Sequence, residues 1–252
     1  MPKKFSIIIP AWNEAEYVGA AVGACQAQDL PRGEYEIIVV DNNSKDGTSE
    51  AARKAGADKV LLETEQGTNS ARNCGAKAAE GEILAFLDAD CLPPPGWLRH
   101  IERNLSGNKI VATSGPYDLG YTGIKKYLDI FYTHFLFRAV PQALELVFRK
   151  KAAVMIGGNF ALERHVFEKL GEFPRYRFFG DDTAIAIRIE RTVGKVWYDT
   201  SLVVRSSPRR LTRHGMVRTA LRYAFHFFKV YFGGASDTMK STWDPNRPSQ
   251  ER

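Results

Sequence analysis

The chain has 252 residues, of which 44% are hydrophobic, enough for one globular domain with a substantial core and too many for a disordered chain. The net charge of +6 is local: seven arginines and lysines and no acidic residue fall between Thr200 and Ser236, leaving 28 basic against 29 acidic residues elsewhere, which argues against a general polyanion or nucleic-acid binder. Three scattered cysteines, Cys25, Cys74 and Cys91, exclude a disulfide framework and a zinc cluster, and no run reaches the roughly 18 apolar residues of a membrane span.

In chain order, Phe5 to Ile9 is the first strand signal, β-branched-rich and ending at Pro10-Ala11-Trp12-Asn13-Glu14. That stretch is too short for the apolar core of a signal peptide, so a cytoplasmic protein is expected. A helix is predicted from about Glu14 to Gln28. Glu36 to Val40 is the second strand and ends at Asp41-Asn42-Asn43-Ser44. The next helix is expected over Asp46 to Ala55, with Asp46 or Ser44 as cap and Gly56 as its stop. A third helix is predicted over Ser70 to Ala79. Ile83 to Leu87 is an unbroken apolar run, as in a strand covered on both faces, and it ends at Asp88-Ala89-Asp90.

Strands alternating with helices of this length predict a mainly parallel sheet with right-handed crossovers. Ligands bind such sheets at the carboxyl ends of the strands, where these three polar segments stand. The second half is less regular. Ile124, Tyr127, Leu128, Phe131, Phe135 and Leu136 recur at helical spacing, and Pro141 is expected to break or kink that helix. Gly157-Gly158-Asn159 reads as a turn. Phe179-Gly180-Asp181-Asp182 is a polar corner before a helix through Thr192. The last helix is expected from about Thr212 to Phe232.

Asp88 and Asp90, one residue apart at a strand end, cannot both enter a core without a counter-charge. A hard divalent cation, Mg²⁺ or Mn²⁺, supplies that charge, and diphosphate oxygens complete its shell.

Four stretches taken in order resemble the signatures of family 2 glycosyltransferases. They are Ile8-Ile9-Pro10-Ala11-Trp12-Asn13-Glu14, Val39 to Thr48, Ala71-Arg72-Asn73-Cys74-Gly75 and Phe86-Leu87-Asp88-Ala89-Asp90. Gly157-Gly158-Asn159 and Gly180-Asp181-Asp182 extend the likeness. It implies a GT-A fold, a Rossmann-like, mainly parallel sheet flanked by helices, here with a C-terminal amphipathic helical extension. Residues 1–115 would be the nucleotide-sugar half of a single domain and 116–211 the acceptor and catalytic half. Residues 212–236 would form a basic aromatic helix and 237–252 a flexible tail.

The resemblance implies roles residue by residue. Pro10, Ala11, Glu14 and Ala89 would line the nucleotide, Asp41 would lie near the base, and Asp88 would approach the ribose. Arg72 would hold nucleotide or diphosphate. Asp90 would be the principal ligand of Mn²⁺ or Mg²⁺, with Asp88 and His214 as further ligands and Arg209 or Arg210 on the diphosphate. Gly158 and Asn159 would face the acceptor. Asp182, with Asp181 as alternate, would be the general base of an inverting transfer from a UDP- or GDP-linked sugar to a glycan, lipid-linked or small-molecule acceptor. Plainer readings stand beside these: Asp41 as a turn cap, Arg72 on a helix surface, and both aspartates capping a helix N-terminus.

Arg218, Arg222, His226 and Lys229 form one stripe on a helix, with Leu221, Phe225, Phe228, Tyr231 and Phe232 on other positions. Two readings follow. One is an interfacial helix on an anionic membrane, peripheral at its inner face, with Tyr127 to Phe137 adding to the same surface. The other is an ordinary packed helix with its basic face in water. A sugar-nucleotide pyrophosphorylase would need a glycine-rich loop after the first strand, where Pro10 to Glu14 stands. A degenerate, scaffolding transferase would have no physical need for clustered carboxylates.

Overall fold

The computed structural model describes residues 3–107, 109–131, 133, 137–174, 181–207, 209 and 216–233. The first half runs β1(Phe5–Ala11), α1(Val18–Gln26), β2(Tyr35–Asp41), α2(Thr48–Lys54), β3(Lys59–Leu62), α3(Thr68–Ala78), β4(Ile83–Leu87), β5(Cys91–Leu92) and α4(Trp97–Leu105). The second runs β6(Ile110–Ser114), β7(Tyr117–Asp118), α5(Gly123–Ile130), α6(Phe137–Phe148), β8(Asn159–Glu163), α7(Arg164–Leu170), α8(Asp181–Thr192), β9(Lys195–Tyr198), β10(Val204–Ser206) and α9(Met216–Gly233).

Among the described residues a seven-stranded sheet has the order β3-β2-β1-β4-β8-β6-β9. β1 pairs in parallel with β2 and β4, and β3 extends β2 in parallel, so the four carboxyl ends share one edge. β8 inserts antiparallel between β4 and β6, which joins the second half of the chain to the same sheet. The alternation along β1 sorts the core. Phe5, Ile7 and Ile9 pack with Val22, Trp97 and Ile101 on one face, beneath α1, α2 and α4. Ile8 faces the other side with Phe86, Phe160, Phe173, Ile185 and Ile189, beneath α3, α7 and α8. Phe86 and Phe160 stack with centroids 4.5 Å apart, and burying each such ring contributes about 1.5–3 kcal/mol.

The first three predicted strands and the helices between them are present with small shifts. α1 starts at Val18 rather than near Glu14, because Asn13 takes φ 53° and residues Glu14 to Tyr17 form a turn closed by Tyr17 N–H on Glu14 O. Gly56, at φ 86°, follows the end of α2 in the left-handed conformation expected of a helix stop. Pro141 does not break its helix. It lies in α6, with Pro141 and Leu144 on the buried side, and near the start of a helix a missing N–H costs at most one bond.

One member of the basic stripe expected on the last helix, His226, is corrected. His226 is buried, and its neighbours Phe227, Val230 and Tyr231 belong to a third cluster that joins α9 to α6 and α8. Among the described side chains of α9, Leu221, Phe225, Phe228 and Phe232 are exposed. The side chains of Arg218 and Arg222 lie outside the described residues, as does the segment 234–252. No helix among the described residues is long and apolar enough to cross a membrane.

A second, three-stranded sheet, β5-β10-β7, sits beside the carboxyl edge. Its antiparallel register sets Ser206 opposite Cys91, the residue after Asp90. This pairing carries the end of the folded second half back to the first half's ligand edge.

Candidate active site

The loops after β1 and β2 hold each other. Asn13 N–H donates to Ser44 Oγ at 2.9 Å, Lys45 N–H to Asn13 Oδ1 at 2.8 Å, and Glu14 N–H to Thr48 Oγ1 at 2.9 Å. Asp41 is buried and accepts from Ser44 N–H at 2.8 Å and from the Ser49 hydroxyl. Its carboxylate therefore caps the turn, as the plainer reading allowed.

Arg72 is no surface residue. It is 3% exposed in α3, lies over the Phe160 ring, and donates to Gly157 O at 2.8 Å and Asn69 Oδ1 at 3.0 Å. Its guanidinium is 3.7 Å from both Asp88 Oδ1 and Asp181 Oδ2. One buried cation thus serves two carboxylates from opposite halves of the chain, which is the compensation that buried charge requires.

The Gly157-Gly158 turn lies between the same two halves. Gly157 N–H donates to Asp182 Oδ2 at 3.0 Å, and Gly158 N–H donates to the Tyr117 hydroxyl at 2.9 Å. Tyr117 in turn donates to Asp88 Oδ2 at 3.3 Å. A Cβ on Gly158 would stand 2.3 Å from Tyr117 Oη and 2.4 Å from Asp88 Oδ2, so only glycine lets the turn approach this closely.

Asp181 and Asp182 form the first turn of α8, where the helix dipole favours a carboxylate, and Asp182 Oδ1 accepts the N–H of Thr183 at 2.8 Å. Burial nevertheless pushes the Asp182 carboxyl up to about 7, and the neighbouring Asp181 charge adds to the rise. Burial also raises Asp181, against the opposing pull of Arg72. A carboxylate titrating near neutrality, with a second one beside it, is the electrostatic setting of a general base.

Asp90 meets Arg209, whose Nε donates to Asp90 Oδ2 at 3.1 Å. The other side of the same guanidinium pairs with Glu14, and the group lies over the Tyr17 ring at 4.5 Å from its centroid. Glu14, Asp90 and Arg209 thus come together from the β1 loop, the β4 end and the segment after β10.

The donor set suits a hard divalent ion. Asp88 and Asp90 offer carboxylate oxygens, and the Arg209 guanidinium already stands at Asp90 as a positive counter-charge. No group of three or more His, Cys, Asp and Glu side chains is gathered for a metal among the described residues. An ion here would take the rest of its shell from diphosphate oxygens and water, as Mg²⁺ does in nucleotide sites. His214 and Arg210 lie outside the described residues.

A family model described as glycosyl transferase family 2 matches residues 6–171. The chain belongs to that family. It is 35% identical over 186 residues to glycosyltransferase AglE of Haloferax volcanii, covering 70% of this chain and 58% of that protein's length. In fold it is similar to mannosyltransferase PcManGT of Pyrobaculum calidifontis, solved in complex with GDP-Man and Mn²⁺. The TM-score is 0.67 at 24% identity, over 90% of this chain and 66% of that one. It is also similar to glucosyl-3-phosphoglycerate synthase of Mycobacterium tuberculosis, solved with Mn²⁺, UDP and glucosyl-3-phosphoglycerate. There the TM-score is 0.63 at 19% identity, over 92% and 80% of the two chains. At such identities the likeness shows the fold, which is GT-A.

In this family 2 chain the predicted site residues fall into two groups, the second of them tied together by Arg72 and the glycine turn. Glu14, Asp90 and Arg209 form one, and Asp88, Asp181, Asp182 and Gly158 form the other. Pro10, Ala11 and Ala89 lie in the backbone at the same edge, Ala11 and Ala89 being buried. Asn159 departs from its expected acceptor role. It is fully buried, its Oδ1 accepting from Trp97 Nε1 at 2.9 Å and its Nδ2 donating to Leu202 O at 2.6 Å, so it is a strut of the core. Tyr117 and Tyr17 were not singled out from sequence. Nothing in the local pattern marks them, since Tyr17 stands in the turn before α1 and Tyr117 in the two-residue strand β7.

Proposed function

We propose that the protein transfers a sugar from a UDP- or GDP-linked donor to an acceptor hydroxyl or phosphate, with inversion. The observation that carries this reading is the Gly157-Gly158 turn, bonded on one side to Asp182 and on the other, through Tyr117, to Asp88. It fixes the proposed base against the proposed donor site. The solved relatives holding GDP-Man or UDP with Mn²⁺ support a nucleoside-diphosphate donor.

In this reading Pro10, Ala11, Glu14 and Ala89 line the nucleotide, and Asp88 approaches the ribose. Asp90, with Asp88, would hold Mn²⁺ or Mg²⁺, whose charge supports a departing diphosphate. Arg209 leaves its carboxylate partners to pair with diphosphate oxygens, for which a planar guanidinium is suited. Asp182 takes the acceptor proton as the acceptor oxygen attacks the anomeric carbon from the face opposite the leaving group. Arg72 supplies the shared counter-charge of Asp88 and Asp181. Gly158, buried in the turn against Asp88 and Tyr117, stands on the acceptor side.

The reading extends to location. The protein works at the cytoplasmic face of a membrane, touching anionic lipid through residues 212–232, and its acceptor is lipid-linked or a cell-envelope glycan precursor. A thermal-shift screen of UDP, GDP and their sugars, each with and without Mn²⁺, tests the donor assignment. One nucleotide class should stabilise the fold and should do so more with metal. No stabilisation by any nucleotide would overturn it.

A further inference from the structure

We infer that α6 and α9 together, rather than a basic stripe on the last helix alone, form the surface on which this protein lies against an anionic bilayer. The inference rests on the membrane contact proposed above and relocates it. α9 is anchored by its inner face: Tyr231 is 1% exposed, and its hydroxyl donates to Lys150 O at 2.9 Å and Leu144 O at 3.2 Å. With that face spent on the protein, Phe225, Phe228 and Phe232 are left turned outward.

The end of α6 continues the same surface. Leu146, Val147 and Phe148 are exposed in succession, Leu146 by 77%, and the Phe148 ring meets Phe232 edge to face at 5.1 Å. Phe232 stacks in turn on Phe228 at 6.4 Å. Two helices thus present one joined apolar platform with no described side chain over its rings. Large apolar patches of this kind mark interaction sites, and scattered single exposures do not.

Charge selects the partner. Arg149, Lys150 and Lys151 follow Phe148 directly and are exposed, and Lys229 lies on α9 between Phe228 and Phe232. Arg149 sits at φ 55°, in the left-handed conformation that follows a helix end. α9 holds no acidic residue, and α6 holds one, Glu145. Bulky apolar groups rimmed by lysine and arginine match a headgroup layer of anionic lipid with acyl chains beneath it.

The platform is tied to the active site by α8. Arg191, in the last turn of α8, donates to Lys151 O at 3.1 Å and Tyr231 O at 3.3 Å. Asp182 lies nine residues earlier on the same helix, about 14 Å at 1.5 Å of rise per residue. Docking through the platform therefore fixes the proposed base at a short, rigid offset from the bilayer, which suits an acceptor held in that bilayer.

Vesicle flotation of the full chain tests this without any donor nucleotide, so its failure is separate from failure of the donor assignment, which nucleotide thermal shift reads without lipid. The wild type should float with phosphatidylglycerol-containing vesicles and far less with pure phosphatidylcholine. R149Q with K150Q should weaken partition about fivefold per charge removed. F148S with F228S and F232S should abolish flotation while circular dichroism shows an unchanged fold; if that variant unfolds, the charge variant decides alone. Absence of flotation by the wild type, equal flotation with both lipids, or flotation of the charge variant equal to wild type would overturn the inference. A dimer in solution that the aromatic variant dissolves, with no vesicle binding, would assign the platform to a second copy and overturn it as well.

Discussion

Arg209 Nε lies 3.1 Å from Asp90 Oδ2, although the two residues are 119 positions apart in the chain. The link between them is the pairing of β10 with β5, which sets Ser206 opposite Cys91 and leaves Arg209 three residues from that register. The guanidinium thus occupies the carboxylate that the family resemblance gives to a metal, and it holds Glu14 at the same time. Either partner of the donor, cation or diphosphate, has to contend with it.

Replacing Arg209 by Gln should therefore act in two directions. Mn²⁺ alone should bind more tightly, because its competitor for Asp90 is gone. UDP or GDP in the presence of Mn²⁺ should bind about 10- to 100-fold more weakly, the scale of a lost charge-assisted hydrogen bond of ~1.5–3 kcal/mol. Titration calorimetry reads both. Lysine should not restore nucleotide affinity fully, since a point charge lacks the planar fork.

Asp182→Asn should leave a folded protein that binds donor nucleotide normally and transfers sugar about 10²–10⁴-fold more slowly. Asp181→Asn should cost less, because that side chain faces Arg72 and not the Gly157 amide. Single-turnover transfer, with nucleotide affinity measured alongside, separates the two. Equal losses in both variants would move the base to the pair as a unit.

The Asp182 carboxyl is raised from 3.8 to about 7 by burial first and by Asp181 second. The base is active when ionised, so kcat/KM should rise with pH through about 7. Stability should move the opposite way. A group raised in the folded state binds more protons folded than unfolded, so its contribution is complete below about pH 4 and is lost as pH rises through about 7. Asp182→Asn should flatten that slope in denaturant titrations made between those limits.

Arg72→Leu should be strongly destabilising, because it strands Asp88 and Asp181 without their shared cation. Breaking a buried pair in this way costs about 3–5 kcal/mol. The melting temperature should drop, and part of the loss should return at low pH as the carboxylates protonate.

Gly158→Ala places a methyl within 2.4 Å of Tyr117 Oη and Asp88 Oδ2, and overpacking of this kind costs about 1–3 kcal/mol. Transfer should fail along with part of the stability. Tyr117→Phe is the gentler probe, removing the hydroxyl between Gly158 and Asp88. It should lower transfer while changing the melting temperature little.

The first half of the molecule was legible because each strand there is a compact apolar run ending in a polar segment. Ile83 to Leu87, predicted as a strand, is β4 without a shift. The short strands β5, β7 and β10 have no such pattern; two or three residues cannot show a period, and their pairing is set by tertiary contact. The carboxylates were visible as residue types at strand and helix ends. Their partners were not: Arg72 on a helix gives no sign that it will be buried, and Arg209 reaches Asp90 only because β10 pairs with β5. The last helix misled in a physical way. His226 matched the basic positions in spacing, but an imidazole can be neutral and packed, and the helix turned its Phe227-Val230-Tyr231 face inward with it.

Asp90 is the proposed point where a cation joins the donor nucleotide to the protein. The most direct measurement is thermal stabilisation by UDP and GDP, with and without Mn²⁺, in wild type and in Asp90→Asn. The account predicts that nucleotide stabilises the wild type, that Mn²⁺ increases the shift, and that Asp90→Asn abolishes the increase while the protein stays folded. A metal-dependent increase of full size in Asp90→Asn would contradict it.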